Sequence, residues 1–256
     1  MGEKTVASRA NEIEVPFNDM GGGATGQFSS KELNLIEFKN AERVQLTLVT
    51  SAEKKALRWL AARMPAWVNS DHLTLLGFVA QFFVGVSYAL AGFDSRFLLL
   101  ANGFLVLNWF GDSLDGTLAR FRNRQRPRYG FYVDHIIDSF GAVFLCVGLA
   151  LSTYMTPMVA MTLLMAFLML SIETYLATYC LGKFNLGHFL FGPTEIRIIL
   201  GIGNVALLWK PHVHFLGTVY PLFDLGGVIA SVGMFFMLVV SAIRHTVILY
   251  REERLS

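Results

Sequence analysis

The sequence predicts an all-α integral membrane protein in which six transmembrane helices follow an amphipathic interfacial helix. Of the 256 residues, 54% are hydrophobic and 16% are charged, whereas a soluble domain carries about 25% charged residues. Six apolar stretches approach or exceed the roughly 20 residues that cross the hydrocarbon core. The basic residues cluster in alternate connections between these stretches, as they do in chains that cross a membrane repeatedly.

Residues 1–49 lack the pattern of a stable element, and we expect a flexible N-terminal segment of mixed composition. The first part has no apolar core and includes a glycine-rich run at residues 21–26. No apolar run follows a basic start, so we do not expect a signal peptide. Residues 31–49 could hold a short helix or strand, and the segment could be a regulatory arm or simply disordered.

Residues 50–66 predict the amphipathic helix. Thr50-x-x-Glu53 has the pattern of a capping box. The apolar positions that follow share one helical face: Leu57, Leu60, Ala61 and Met64. Basic side chains lie elsewhere around the helix: Lys54, Lys55, Arg58 and Arg63. This arrangement favours a helix in the membrane interface, and the alternative is a helix packed on the protein itself.

The transmembrane domain is predicted over residues 69–250, with a cytoplasmic tail at residues 251–256. The six predicted spans are 73–92, 97–119, 131–153, 158–181, 196–215 and 222–249. The spans that begin at 97 and 196 are the least uniform because both carry charged residues. Pro157 and Pro221 stand at span starts, where proline is tolerated.

The distribution of basic residues predicts the orientation. With six spans, 19 of the 21 Lys and Arg residues fall on one side of the membrane, and Arg96 and Lys210 fall on the other. The positive-inside rule then places both termini and the second and fourth connections in the cytoplasm. We expect the chain to lie in the cytoplasmic (plasma) membrane.

Four aspartates in or beside two predicted spans are the candidate functional site: Asp112, Asp115, Asp134 and Asp138. Carboxylates at membrane depth are costly and usually mark a functional site with a partner cation or substrate. The first two share one helical face, as do the last two. A short connection joins the two helices, so we expect antiparallel neighbours whose carboxylates converge and open to the cytoplasm.

Four such carboxylates favour a metal site. Like charges cannot gather in a low dielectric without cations or protonation, and hard oxygen ligands suit Mg²⁺, Mn²⁺ or Ca²⁺ rather than zinc. A metal pair there would favour phosphoryl transfer by neutralising a diphosphate. Gly116 would let a ligand approach the backbone, and Arg120 suits a phosphate or a carboxylate.

The alternatives to a metal site are structural ion pairs with Arg120 and the basic loop, or a cation-coupled transporter. A transporter would show repeated or broken spans, and the sequence has no internal repeat.

The motif that contains these residues resembles the signature of the CDP-alcohol phosphotransferase family, membrane enzymes of phospholipid synthesis. It consists of Asp112-x-x-Asp115-Gly116-x-x-Ala119-Arg120 followed, after residues 121–129, by Gly130-x-x-x-Asp134-x-x-x-Asp138. The intervening loop is one residue longer than the family pattern, which affects loop geometry alone. The resemblance extends to the six spans, the interfacial helix and Asn69-x-x-x-Leu73-Thr74, and it covers residues 52–250.

The resemblance implies transfer of a phospho-alcohol from a CDP-linked donor to an acceptor hydroxyl, with release of CMP. The implied ligands of two Mg²⁺ or Mn²⁺ ions are Asp112, Asp115, Asp134 and Asp138, of which Asp138 could instead be the general base. The implied lining of the cytidine diphosphate pocket is Gly116, Ala119 and Arg120. The implied partners are the donor, a lipid or small alcohol acceptor, membrane lipids and a second copy in a homodimer, with no nucleic acid.

The substrate branch stays open. One branch joins a soluble CDP-alcohol to a lipid, and the other joins CDP-diacylglycerol to a small polar alcohol. Asp134-His135-x-x-Asp138 is similar to the motif of choline/ethanolaminephosphotransferases, in which the histidine is a candidate base, and Thr194-Glu195 resembles a pair in the same branch. However, position i+1 turns His135 about 100° away from Asp134. Three further charged residues could be structural or functional: Glu173, Glu195 and Arg197. Arg197 could neutralise Glu195 or hold the phosphate of an acceptor.

Overall fold

The structure, a computed structural model, describes residues 50–181, 193–215 and 217–253. Its elements are α1 (Thr50–Arg63), α2 (Ser70–Ala91), α3 (Phe97–Phe121), α4 (Pro127–Leu151), α5 (Pro157–Leu181), α6 (Pro193–Trp209), β1 (His212–Phe215), β2 (Thr218–Pro221) and α7 (Leu222–Glu252). The predictions for residues 1–49 and for the end of the C-terminal tail lie outside the described residues.

An integral membrane protein is confirmed, with five candidate spans in the described ranges. These are α2, α3, α4, α5 and α7, which are long and apolar enough to cross a membrane. The remaining predicted span corresponds to α6, which has 17 residues. That length is short of the roughly 20 residues that cross the hydrocarbon core, so the sixth crossing stays a prediction.

The predicted span 196–215 is wrong at its C-terminal end. Helix α6 ends at Trp209, and residues 212–215 form strand β1 instead. Lys210 donates the last helical hydrogen bond, to Ala206 O at 2.7 Å, and Pro211 follows it. Proline lacks an N–H and restricts the residue before it, so the helix stops there. Strands β1 and β2 then pair antiparallel, with His212 opposite Pro221, and this short hairpin is added to an architecture that is otherwise all-α as predicted.

Helix α2 is the central element, because both aspartate-bearing helices, α3 and α4, pack on it. Glycines make these contacts close. A Cβ added at Gly111 of α3 would lie 2.6 Å from the backbone nitrogen of Gly77, and one at Gly148 of α4 would clash with the backbone of Gly85. Small residues let membrane helices approach each other in this way. The prediction that α3 and α4 are direct neighbours is corrected: they make few contacts with each other and share α2.

Helix α5 packs on α4 and α7, and α6 lies chiefly on α3. Polar contacts join α5 and α7 near both ends. Thr156 donates its backbone N–H to Asp224 Oδ1 at 2.6 Å. His245 Nδ1 lies 2.6 Å from Glu173 Oε1. Glu173 thus contacts α7 through His245, and its role stays a prediction.

Helix α1 ends at Arg63, three residues before the predicted boundary at 66. Its apolar face contacts the protein, because Leu57 and Ala61 are buried in a cluster with Leu114 and Leu118 of α3. The basic residues Lys54, Lys55 and Arg58 are exposed. Helix α1 is therefore amphipathic as predicted, with its apolar face packed on α3.

Candidate active site

The four predicted carboxylates lie on either side of the connection between α3 and α4, in the C-terminal part of α3 and the N-terminal part of α4. Asp112 and Asp115 are in the last turns of α3, and Asp134 and Asp138 are in the first turns of α4. The negative charges of Asp112 and Asp134 both act on Asp115, so the fold brings these three groups together. Asp138 interacts electrostatically with Tyr175 of α5, so it lies toward that helix.

Asp115 is the most enclosed of the four, with 9% of its surface exposed. Its Oδ2 accepts a 2.5 Å hydrogen bond from the hydroxyl of Thr74 in α2, and its Oδ1 accepts the backbone N–H of Gly116. Thr74 belongs to the Asn69-x-x-x-Leu73-Thr74 segment that the sequence resemblance included. This segment therefore contributes directly to the carboxylate site.

Asp112 forms an ion pair with Arg197 of α6, whose Nη2 lies 2.7 Å from Asp112 Oδ2. The Nε of Arg197 donates to Asn108 Oδ1 at 2.8 Å, and Asn108 Nδ2 donates to Gly77 O at 2.9 Å. The ion-pair partner of Arg197 within the described ranges is thus Asp112 rather than Glu195. The third guanidinium nitrogen, Nη1, is buried and has no hydrogen-bond partner among the described residues.

The predicted nucleotide-pocket residues occupy the last two turns of α3. A Cβ built on Gly116 would lie 3.4 Å from Nη1 of Arg120, so the guanidinium lies over the glycine. Ala119 instead lines a cavity of about 350 Å³ between the start of α2 and the connection 122–126. Asn69 and Asp71 line the same cavity. Of the predicted nucleotide-pocket residues, Gly116 and Arg120 therefore lie together, and Ala119 lines this cavity.

His135 lies against α5. Its Nδ1 is 2.5 Å from Phe131 O and donates the hydrogen bond, because a carbonyl oxygen can only accept. The imidazole ring stacks 4.1 Å from the ring of Phe131 and meets Tyr175 edge-on at 4.6 Å. The role of His135 as a base therefore stays a prediction.

The donor chemistry of the site fits a hard divalent cation, because every candidate ligand is a carboxylate. Within the described ranges, no three Asp, Glu, His or Cys side chains are close enough to hold an ion as placed. Asp112 and Asp115 instead accept hydrogen bonds from Arg197 and Thr74. These bonds orient two of the carboxylates that would serve as ligands.

The sequence did not predict that Asn108 or Thr74 would contact the site. It also did not predict the ion pair between Arg197 and Asp112. The sequence does show that these residues are polar or charged and stand inside apolar spans. Such residues usually face the protein interior. The sequence pattern could not identify their partners, because Arg197 and Asp112 are 85 positions apart.

One protein-family model, described as CDP-alcohol phosphatidyltransferase, matches residues 67–242. The matched region extends from just before α2 into α7 and includes all four aspartates, Thr74 and Arg197. The comparison with curated proteins gives no match.

Proposed function

Because this chain belongs to the CDP-alcohol phosphatidyltransferase family, we propose that its acidic site catalyses metal-dependent transfer of a phospho-alcohol from a CDP-linked donor to an acceptor hydroxyl, releasing CMP. The family transfers phospho-alcohols from CDP-alcohols in phospholipid synthesis and generally depends on a divalent metal. The observation that carries the proposal is the convergence of Asp112 and Asp134 on the enclosed Asp115.

The four aspartates, Asp112, Asp115, Asp134 and Asp138, would hold Mg²⁺ or Mn²⁺ as a pair of ions. The bound ions would neutralise charge on the diphosphate. Thr74 and Arg197 orient two of these carboxylates through hydrogen bonds. Asp138 would complete the metal site or accept the proton of the acceptor hydroxyl, since a free hydroxyl is a poor nucleophile near neutral pH.

The donor diphosphate would lie beside Gly116 and Arg120. The guanidinium of Arg120 lies over the glycine, and a planar guanidinium can donate two parallel hydrogen bonds to a phosphate. A Cβ at position 116 would meet this guanidinium at van der Waals distance. Ala119 would contribute to the pocket from the neighbouring cavity.

For the substrates, we propose CDP-diacylglycerol as donor and a phosphorylated polar alcohol as acceptor. The supporting observation is Nη1 of Arg197, a buried donor beside the carboxylates that has no hydrogen-bond partner among the described residues. A buried donor is costly to leave unpaired, and a phosphate oxygen would satisfy it. The alternative branch, a soluble CDP-alcohol with a lipid acceptor, relies on His135 as base, and the ring of His135 packs against α5.

We also propose that the site faces the cytoplasm and that the protein lies in the cytoplasmic membrane as a homodimer. The orientation is supported by the 19 basic residues assigned to one side, against Arg96 and Lys210 on the other. Arg122, Arg124 and Arg126 lie in or beside the connection next to the carboxylates. A basic connection of this kind favours the cytoplasmic side.

The test is CMP release by the purified protein in detergent with Mg²⁺. The donors are CDP-diacylglycerol, CDP-choline and CDP-ethanolamine, each offered with a panel of acceptors, and Asp138→Asn is the control variant. CMP from CDP-diacylglycerol that requires a phosphorylated acceptor and vanishes in the variant supports both the chemistry and the branch. CMP from CDP-choline or CDP-ethanolamine overturns the branch. No CMP from any donor overturns the chemistry. Cation-coupled transport is then tested as ion flux in liposomes.

A further inference from the structure

We propose that Glu53 of the interfacial helix is a positioning residue, which holds α6 so that Arg197 meets Asp112. Helix α1 would then contribute to turnover through this carboxylate and not only to membrane attachment. The inference rests on the proposed function, because its kinetic consequence is a change in CMP release.

One oxygen of Glu53 joins three helices. Its Oε1 accepts a 2.7 Å hydrogen bond from Nε1 of Trp109 in α3. The same oxygen accepts a 2.8 Å bond from the hydroxyl of Thr194 in α6. An indole N–H can only donate, and bonds to an ionised acceptor are about twice as strong as neutral ones. Glu53 therefore fixes the start of α6 against α3.

These contacts lie one turn from the ion pair in the site. Thr194 precedes Arg197 by three residues on α6, and Trp109 precedes Asp112 by three residues on α3. Residues three apart share a helical face. The bridge through Glu53 and the bridge from Arg197 to Asp112 therefore lie within one turn of each other in the contact between the same two helices.

Helix α6 depends on polar contacts of this kind. Beyond Arg197, Gly201 O accepts from Asn102 Nδ2 at 3.2 Å, and Asn204 Nδ2 donates to Asn102 Oδ1 at 2.7 Å. Its fully buried residues are Asn204 and Leu207, both in the second half of the helix. The half that carries Arg197 has no buried apolar residue, and Leu200 packs on the apolar core only partly buried. The bonds of Thr194 and Arg197 therefore attach the first turns of α6 to α3.

Helix α1 has a separate attachment that does not involve Glu53. Leu57 and Ala61 are buried against α3. Arg122, just after α3, donates hydrogen bonds to the carbonyls of Met64, Pro65 and Val68. Replacing Glu53 should therefore leave α1 in place and release only the first turn of α6. This separates the effect on Arg197 from unfolding of the interfacial helix.

The experiment compares Glu53→Ala, Glu53→Gln and Thr194→Val with Lys54→Ala, which changes an exposed neighbour on α1. CMP release is measured against Mg²⁺ and acceptor concentration, and each variant is combined with Arg197→Lys. For Glu53→Ala we expect kcat to fall about tenfold, the loss of one charged hydrogen-bond acceptor, and the Mg²⁺ requirement to rise. Glu53→Gln should recover most activity because its amide oxygen still accepts both bonds. The losses from Glu53→Ala and Arg197→Lys should not add, since both act through Arg197.

Hydrogen–deuterium exchange of α6 in detergent tests, independently of catalysis, whether Glu53 holds the first turns of α6. Amides in the first turns of α6 should exchange faster in Glu53→Ala and at the wild-type rate in Glu53→Gln. Unchanged exchange, or a lower melting temperature with normal kcat and Mg²⁺ dependence, overturns the inference. A wild-type protein that releases no CMP overturns the proposed function instead, and the exchange data still decide whether Glu53 holds α6.

Discussion

The hydroxyl oxygen of Thr74 lies 2.5 Å from Oδ2 of Asp115, across the contact between α2 and α3. The same oxygen lies 3.0 Å from Ser70 O. A hydroxyl has a single proton, and both the shorter distance and the negative charge favour donation to Asp115. Gly77 and Gly111 bring the two helix backbones together one turn away. The orientation of Asp115 is therefore fixed by helix packing as well as by its own hydrogen bonds.

Thr74→Val should lower kcat/KM for CMP release about tenfold. Valine has nearly the shape of threonine and lacks the hydroxyl, so Asp115 would lose one hydrogen bond to a charged group. Thr74→Ser keeps the hydroxyl and should stay close to the wild type. Steady-state kinetics at saturating Mg²⁺ compare the variants. Equal rates for the valine and serine variants would show that the bond does not contribute to turnover.

Gly111→Ala should destabilise the protein and reduce activity together. The added Cβ would lie 2.6 Å from backbone atoms of Gly77 and Leu73, and backbone cannot rotate away as a side chain can. Helices α2 and α3 would have to separate, which also moves Asp115 from Thr74. Gly103→Ala is the matched control on the same helix, because among the described residues no atom beyond its own stretch of helix lies within 4 Å of its Cβ position. Melting temperatures in detergent that agree for the two variants would contradict the close contact.

The sequence predicted the features that depend on local pattern. Helical spacing identified the four aspartates, and the apolar stretches predicted α2 and α5 within a few residues of their observed ends. The sequence could not supply pairings between distant segments, such as Glu53 with Thr194, which are 141 positions apart. The structure has a capping box at Asn69 and His72, which the sequence did not predict, and the box expected at Thr50 and Glu53 stays a prediction. The local pattern does not show that a tertiary contact engages Glu53.

His135→Gln should reduce activity by less than about tenfold, whereas Asp138→Asn should reduce it by about a hundredfold or more. The imidazole donates from Nδ1 to Phe131 O and contacts Tyr175, so we expect its replacement to change mainly packing against α5 and to leave the carboxylates in place. The asparagine removes a proposed metal ligand or base. Turnover by both purified variants is compared at several Mg²⁺ concentrations. A loss in His135→Gln as large as in Asp138→Asn would restore the histidine as a candidate base.

Chelation of divalent metal should abolish CMP release, and added Mg²⁺ or Mn²⁺ should restore it. Asp134→Asn should raise the metal concentration for half-maximal activity by about tenfold or more, because each carboxylate ligand contributes charge and an oxygen donor. Asp94→Asn is the control, since Asp94 precedes the opposite end of α3 and accepts a hydrogen bond from Arg96 N. Activity that survives exhaustive chelation would contradict the metal requirement.

Arg197→Gln should raise the KM for a phosphorylated acceptor about tenfold or more, with a smaller fall in kcat. The guanidinium bonds to Asn108 and Asp112, and its buried Nη1 has no partner in the part of the chain that the structure describes. Glutamine cannot replace both the charge and the fork of donors. Arg251→Gln, an exposed arginine near the end of α7, is the matched control. If kcat falls and the KM of the acceptor does not change, Arg197 orients Asp112 without binding acceptor phosphate, and the proposed acceptor class loses its support.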